Sequence, residues 1–200
     1  VSTRFYLESD EVIDFIAEHI HILNERLEKR GYNVKADIRS REDMKDEGKS
    51  IDEVRDWLEA NKNKAHHWFF STDLTFYIRG GRVSKTAGAI GTVLGICPLL
   101  NVNDEGKLIA REKVRGRKRV IKRIVEVMEQ RAQGGLDYSG KVFISNSDCY
   151  EDARAVADLI EEKFTKMNGK VQIYDIGATI GSHTGPGTVA LFFWGDEREH

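Results

Sequence analysis

The chain has 200 residues, of which 31 are Lys or Arg and 33 are Asp or Glu, and its formal net charge is −2. This near-neutral charge argues against a dedicated nucleic-acid binder, and no apolar run is long enough for stable insertion into a membrane. Hydrophobic residues make up 40% of the chain, which predicts a globular protein of one domain or two small ones.

The chain contains two cysteines, Cys97 and Cys149, and they do not form a CxxC pair. This usage favours free thiols in a reducing cytoplasm over a structural disulfide or a metal site. We therefore expect a cytoplasmic protein without a bound metal.

Residues 1–40 have the pattern of a strand–helix–strand unit. Residues 2–7 and 33–39 alternate as strands do, and between them an apolar residue recurs every three or four positions after Ser9. We expect this unit to be one domain, followed by a second domain over residues 41–200.

The second domain begins with a helix whose start is marked by a capping box, Ser50 to Glu53. Val54, Trp57 and Leu58 are expected to point inward from this helix. A strand over residues 66–71 and a helical turn over 73–78 then lead into residues 79–85.

Residues 79–85 place two glycines between Arg79 and Arg82. Guanidinium groups hold carboxylates or phosphates in a fixed two-pronged geometry, so this segment is a candidate anion site. The alternative is a helix end followed by solvent-exposed charge, which is the commoner fate of such a sequence.

The middle of the chain predicts a small-residue helix, a hairpin and a basic helix. The helix covers residues 86–96, and the hairpin joins residues 98–103 to 108–114 across Gly106. The basic helix begins at residues 115–119, and its inward positions are Val120, Ile121, Ile124, Val125 and Met128. Seven cations surround its start, namely Lys113, Arg115, Arg117, Lys118, Arg119, Lys122 and Arg123. They form either a solvated face or a docking surface for an acidic partner or a phosphate.

The last third of the chain predicts a second strand–helix–strand unit. Residues 141–146 and 171–176 read as strands, and a helix capped by Asp148 runs between them to Phe164. This order implies a parallel strand pair covered by the helix. We expect seven to nine strands in the whole chain.

The segment over residues 180–187, IGSHTGPG, lies between two apolar strands. It contains His183 and two hydroxyls among glycines, which predicts a polar turn that lines a site. The alternative is a plain hairpin connection with a surface histidine.

Three passages in register resemble the DegV family of fatty-acid-binding proteins. They are YIRGGRVS at 77–84, GKLIAREKVRG at 106–116 and IGSHTGPG at 180–187, and the resemblance covers residues 44–195. It implies a mixed α/β fold, here the family's C-terminal lobe with a mixed sheet and flanking helices. Residues 1–40 do not match the family.

The resemblance also implies a function, which is to hold a long-chain fatty acid by its carboxylate and present it to a separate fatty acid kinase. The kinase then forms the acyl phosphate used in phospholipid metabolism, so this chain would be a binding subunit with no catalytic residue and no cofactor. His183 and Arg82 would hold the carboxylate, with Ser182, Thr184 and Gly181 beside it. Arg115 would meet the kinase.

The chain departs from the family by lacking the Thr-Asp-Ser and Ser-Gly-x-Ser-Gly-Thr stretches of the N-terminal lobe. Half of the carboxylate site and one wall of the tunnel are therefore absent from this sequence, and the uncovered apolar face would favour a homodimer. Two other functions stay open from the residues alone. One is a protein-interaction domain that uses the basic helix over 115–123, and the other is an enzyme that acts on a small acid or phosphate through His183.

Overall fold

The computed structural model describes Gly48, residues 50–81 and residues 95–198. The chain divides into two units, Val1–Ala60 and Asn61–His200. The elements expected within residues 1–40, the expected boundary at residue 40 and residues 86–94 of the small-residue helix lie outside the described residues. Ile96, the expected end of that helix, instead begins a strand.

Helix α1 spans Ile51–Asn61 and begins with the expected capping box. The Ser50 backbone N–H donates to Glu53 Oε2 at 2.7 Å, and the Glu53 N–H donates to Ser50 Oγ at 3.3 Å. The inward orientation expected for Trp57 and Leu58 is wrong, because these side chains are 42% and 49% exposed. The capping box fixes where a helix starts but does not determine what covers its apolar face.

The second unit contains a single six-stranded sheet over its described residues. Its strands are β1 Ala65–Ser71, β2 Ile96–Val102, β3 Leu108–Arg115, β4 Phe143–Ser147, β5 Gln172–Asp175 and β6 Thr188–Trp194. The strand order is β3-β2-β1-β6-β4-β5; β4 and β5 are parallel and every other pair is antiparallel. The expected mixed sheet, the β2–β3 hairpin and the β4–β5 parallel pair are confirmed. We expected seven to nine strands in the whole chain, and the described residues contain six.

Helices α3 and α4 cover one face of the sheet, and the short helix α2 contributes to a smaller cluster on the other. Their bounds are α2 Thr75–Arg79, α3 Arg117–Arg131 and α4 Tyr150–Lys163. Phe69 and Phe70 show the division, since neighbouring strand residues point to opposite faces. Phe70 packs in the larger cluster with α3 and α4, whereas Phe69 packs with Tyr77 of α2.

The inward faces expected for the two long helices are confirmed. All of these residues are buried: Val120, Ile121, Ile124, Val125 and Met128 on α3, and Ala153, Val156, Ala157, Ile160 and Phe164 on or directly after α4. Full burial of each large aliphatic side chain contributes about 1.5–3 kcal/mol. No helix within the described ranges is both long and apolar enough to traverse a bilayer.

The start of α4 differs from the expected cap. Asp148 lies at a φ of 50°, and the N-cap residue is Cys149, which forms no side-chain cap. Asn146 provides the hydrogen bond instead, because its Oδ1 accepts the Cys149 N–H at 3.2 Å. Both cysteines are free, as expected, and both are buried.

One end of the sheet gathers the segments that follow or precede its strands. Because β1 runs antiparallel to β2 and β6, the last residue of β1, Ser71, lies beside Thr188 at the start of β6. Arg115 ends β3 opposite Ile96 at the start of β2, and Ser147 ends β4 opposite Thr188. These strand ends share one edge, called here the site edge.

At the opposite edge, the buried His66 fixes the segment that follows β6. His66 Nε2 donates to the Asp196 carbonyl at 2.8 Å, and Trp68 Nε1–H donates to His66 Nδ1 at 3.3 Å. Burial lowers the pKa of His66, and the Arg198 and Arg131 guanidinium groups act in the same direction, while the Asp196 carbonyl opposes them. The neutral imidazole is therefore the form that fits this position.

This arrangement predicts that the free energy of unfolding falls as the pH drops below about 6.5, the unfolded value of the histidine pKa. The unfolded chain binds the proton more readily because the folded pKa is lowered, so the His66 contribution is complete above that pH and is lost below it. Urea unfolding between pH 5 and 7.5 measures the slope. His66→Gln should flatten the slope, and Trp68→Phe should reduce it by removing the donor that opposes protonation of Nδ1. An unchanged slope in His66→Gln would contradict the assignment.

Candidate functional site

Residues 180–187 do not form the expected turn between strands. Most of this segment belongs to a helix, α5, which spans Ala178–Thr184 and lies between β5 and β6 at the site edge. Gly177 precedes the helix and Gly185, at a φ of 69°, ends it. Glycine adopts a positive φ without the Cβ clash that other residues meet, so the chain can turn away from the helix at this position. Gly185, Pro186 and Gly187, which suggested a turn, therefore mark where the helix stops, whereas Gly181 lies inside the helix.

The imidazole of His183, on α5, packs against the end of α2. A Cβ atom built on Gly80, the C-cap of α2, would lie 2.6 Å from His183 Nδ1 and 3.4 Å from its Cγ. A side chain at this position would force the imidazole or the end of α2 to shift, so the close approach of the ring depends on Gly80. Nδ1 faces Gly80, and the ring geometry directs Nε2 to the other side.

A second glycine makes the same kind of contact in the opposite direction. Gly185 lies so close to the Phe76 ring that an added Cβ would overlap it. Helices α2 and α5 therefore contact each other at two glycines, one on each side. Because closely packed backbone tolerates little displacement, the position of His183 depends on the position of α2.

Three buried hydroxyls lie beneath this contact. Thr188 Oγ1 is 3.3 Å from the Tyr77 hydroxyl, 3.2 Å from Ser71 Oγ and 3.3 Å from the Thr184 carbonyl. Tyr77 is fully buried, and burial raises its pKa to about 12, although the Thr188 hydroxyl acts in the opposite direction. The phenol is thus protonated at neutral pH and can donate a hydrogen bond.

The start of α2 is held by Asp73. Its Oδ1 accepts the Thr75 N–H at 2.8 Å and the Thr75 hydroxyl at 2.6 Å. Both hydrogen bonds lower the pKa of Asp73, and the one from the Thr75 hydroxyl has the larger effect. The Ser71 hydroxyl donates to the Asp73 carbonyl at 2.8 Å, so the same serine links α2 to Thr188.

The other expected site residues lie on α5 or at the edge of the sheet. The hydroxyls of Ser182 and Thr184 donate to carbonyls of their own helix, those of Thr179 at 2.8 Å and Ile180 at 3.1 Å. Gly181 is in the middle of α5, and an added Cβ would meet nothing closer than Ile176 at 3.9 Å. Arg82 lies outside the described residues.

Arg115 ends β3, at the same edge of the sheet as α5. Strand β3 is two strands from β1, which is on the order of 10 Å between strand axes. Arg115 is exposed and directly precedes Gly116, the N-cap of α3. The topology therefore places Arg115 and helix α5, which carries His183, at the same end of the sheet.

The basic cluster separates into paired and exposed cations. Arg117 binds the buried Asp152 at 2.5 Å, and Arg123 binds Glu112 at 2.7 Å and Glu126 at 3.1 Å. The remaining five are exposed and form no ion pair with a described residue: Lys113, Arg115, Lys118, Arg119 and Lys122. These five are called the basic surface. In the part of the chain that the structure describes, no group of three or more His, Cys, Asp or Glu side chains could hold a metal ion.

The sequence predicts His183 as a site residue but gives no indication of the residues that contact it. Tyr77 and Gly80 belong to the YIRGGRVS motif at 77–84. No pattern in the sequence marks Ser71 or Thr188 as part of a site. The paired glycines at 80 and 81 could have indicated a close contact here, since a glycine at a helix end permits close approach of another group.

The family model described as "Uncharacterised protein, DegV family" matches residues 30–196. A DegV domain-containing protein of Clostridium perfringens is 46% identical over 156 residues, which are 78% of this chain and 52% of that protein. The chain thus spans about half the length of the curated relatives it matches.

Two solved structures show the same fold. A fatty acid binding DegV family protein from Streptococcus agalactiae has a TM-score of 0.63 at 27% identity, covering 76% of this chain and 52% of that one. The fatty acid kinase B3 protein of Streptococcus pneumoniae, loaded with linoleic acid, has a TM-score of 0.68 at 19% identity, covering 77% and 53%.

The contact between Gly80 and His183 predicts a destabilising effect of Gly80→Ala. The added methyl overlaps the imidazole, so we expect a loss of about 1–3 kcal/mol in the free energy of unfolding, measured by urea denaturation. Gly181→Ala is the matched control within α5, where the open space and the higher helix propensity of alanine predict no loss or a gain of up to about 1 kcal/mol.

A double-mutant cycle isolates the contact. In the His183→Ala background the imidazole is gone, so Gly80→Ala should cost much less than it does in the parent chain. An equal cost in both backgrounds would show that the Gly80 effect does not involve His183.

Proposed function

This chain belongs to the DegV family, as its three motifs indicated, and we propose that it binds a long-chain fatty acid with the carboxylate at His183. The observation that carries the proposal is the imidazole fixed between α5 and the Gly80 end of α2. Nδ1 lies against protein backbone, so Nε2 is the nitrogen that meets the carboxylate.

The relatives support the ligand class. The Streptococcus agalactiae protein is described as fatty acid binding, and the Streptococcus pneumoniae protein holds linoleic acid. Because this chain spans only about half of such proteins, we propose that it supplies the His183 half of the carboxylate site and one wall of the acyl-chain tunnel.

The energetics divide between head group and tail. A buried carboxylate is unfavourable unless several donors satisfy it, and we assign Arg82 as the second donor beside His183. Ser182, Thr184 and Gly181 border the site in this proposal. The hydroxyls of Ser182 and Thr184 donate to carbonyls within α5, and their oxygens can still accept a hydrogen bond. Each buried methylene of the tail adds about 0.8 kcal/mol, so the tail supplies most of the affinity and His183 sets the orientation.

Chemistry on the carboxylate is assigned to a separate kinase subunit, which would make this chain a binding subunit and not an enzyme. The fatty acid kinase relative supports this partner. Arg115 lies at the same end of the sheet as α5, and the basic surface to which it belongs would suit an acidic kinase surface. We further propose a cytoplasmic location, which suits two free buried thiols, and a role in the supply of acyl phosphate for phospholipids.

The first test is oleate binding by the 200-residue chain. His183→Ala removes the orienting donor, and we expect at least tenfold weaker binding, since a hydrogen bond to a charged group contributes about 1.5–3 kcal/mol. Mass spectrometry of organic extracts and titration with oleate measure retention and affinity. Thr179→Ala, at an exposed position of the same helix, should bind as the parent does. Equal binding by the parent and His183→Ala would contradict the assignment, and turnover of a small acid by the parent would favour the enzyme alternative.

The second test separates kinase docking from ligand binding. Arg115→Ala should keep oleate affinity within about twofold of the parent, because β3 is three strands away from β6, the strand that follows α5. It should weaken kinase binding and acyl phosphate formation about tenfold or more, as expected for an arginine that anchors an interface. Arg154→Ala, on α4, removes an arginine outside the basic surface and is the control. Equal acyl phosphate formation by Arg115→Ala and Arg154→Ala would contradict the docking role.

A further inference from the structure

We propose that Tyr77 is a positioning residue for His183, acting through Thr188 and the carbonyl of Thr184. This inference rests on the proposed function in so far as His183 binds the ligand. Its structural part, the dependence of the His183 position on the Tyr77 hydroxyl, stands on the geometry alone.

The direction of the hydrogen bonds follows from the number of available protons. Ser71 uses its hydroxyl proton on the Asp73 carbonyl at 2.8 Å, so it can only accept from Thr188. Thr188 has one proton, which is shared between Ser71 Oγ and the Thr184 carbonyl. The Tyr77 hydroxyl lies 3.3 Å from Thr188 Oγ1 and is therefore the donor to it. The chain of donation runs from Tyr77 through Thr188 to Thr184.

This chain ends one residue from His183. Thr184 is the last residue of α5, and the carbonyls of a final helical turn have no partner within the helix. Thr188 supplies that partner for Thr184, which closes the turn formed by Gly185, Pro186 and Gly187. Because α5 has only seven residues, its own hydrogen bonds hold it weakly, and external contacts set its position.

The hydroxyl of Tyr77 can be separated from its ring. The ring stacks on Phe69, with centroids 6.3 Å apart and an interplanar angle of 5°, and it belongs to the apolar cluster formed with Leu74 and Leu100. Phenylalanine would keep this packing. Packing in this apolar cluster therefore does not need the Tyr77 hydroxyl. The hydroxyl contacts Thr188, which binds the end of the helix that carries His183, so we attribute it to the positioning of that helix.

The chain offers a matched control at the other end of β6. Tyr138 is also buried, at 3% exposure, and its hydroxyl donates to the Lys141 carbonyl at 2.9 Å and accepts the Trp194 N–H at 3.0 Å. Trp194 and Thr188 are at opposite ends of β6, roughly 20 Å apart. Tyr77→Phe and Tyr138→Phe thus remove the same group from buried positions near to and far from His183.

The test compares Tyr77→Phe, Thr188→Val and Tyr138→Phe with the parent chain and with His183→Ala. Nitrogen and carbon NMR shifts of the His183 imidazole, and its titration, report its position and tautomer without any ligand. We expect these to change in Tyr77→Phe and Thr188→Val and to match the parent in Tyr138→Phe. We also expect oleate affinity to fall about 3- to 10-fold in the first two variants only, as the loss of one positioning hydrogen bond implies.

The outcomes distinguish the two proposals. Parent-like His183 spectra in Tyr77→Phe and Thr188→Val would overturn the positioning role, whether or not oleate binds. Altered spectra in these two variants, with no oleate binding by the parent, would support positioning and refute the proposed function. Equal changes in all three variants would overturn the inference by showing a general effect of lost stability.

Discussion

The contact between the His183 imidazole and the Gly80 backbone is the constraint on which the candidate site depends. It brings together a residue near the end of the chain and the end of a helix about one hundred positions earlier. The contact depends on Gly80, the C-cap of α2, because a Cβ at that position would lie 2.6 Å from Nδ1 and would force the ring or the helix end to shift. It also requires that α5 end where it does, so that the ring faces α2, and Gly185 both ends α5 and admits the Phe76 ring.

The sheet order makes this convergence possible. Strands β1 and β6 are neighbours although more than one hundred residues separate them in sequence. Their antiparallel pairing brings the end of β1 to the start of β6, so the segments attached there, α2 and α5, must meet. The hydroxyls of Ser71 and Thr188 sit at this junction and hydrogen bond to each other. A buried polar pair of this kind is favourable only when its members are satisfied, and it therefore favours one arrangement of the two helices.

The sequence predicted the fold better than the site. Apolar periodicity identified α3 and α4 with their buried faces, and the capping box at Ser50 marked the start of α1, because these signals are local. The predictions that failed depend on which other parts of the chain pack nearby. Trp57 and Leu58 have the pattern of an inward face, but periodicity does not reveal whether a partner covers it. Asp148 is a good cap by residue type, yet Asn146 accepts the amide because its side chain returns from the end of β4.

The segment around His183 was misjudged for a similar reason. Three glycines and a proline within residues 180–187 favour a turn by composition, but α5 ends only at Gly185, and Gly181 is tolerated inside it. What holds this weak helix is tertiary: the contacts with α2 and the hydrogen bond from Thr188 to Thr184. No local pattern encodes a hydrogen bond between residues 77 and 188, so the part of the site that fixes His183 could be found only in three dimensions.

The basic residues illustrate how structure separates two roles that look identical in sequence. Arg117 neutralises the buried Asp152 and thereby joins the starts of α3 and α4, and Arg123 joins α3 to β3 through Glu112. Removing either would leave a carboxylate without its partner, which costs most at the buried Asp152. The five cations of the basic surface have no such task within the described residues. Their charge can act at a distance on an anionic group, and one of them, Arg115, lies at the site edge because it ends β3.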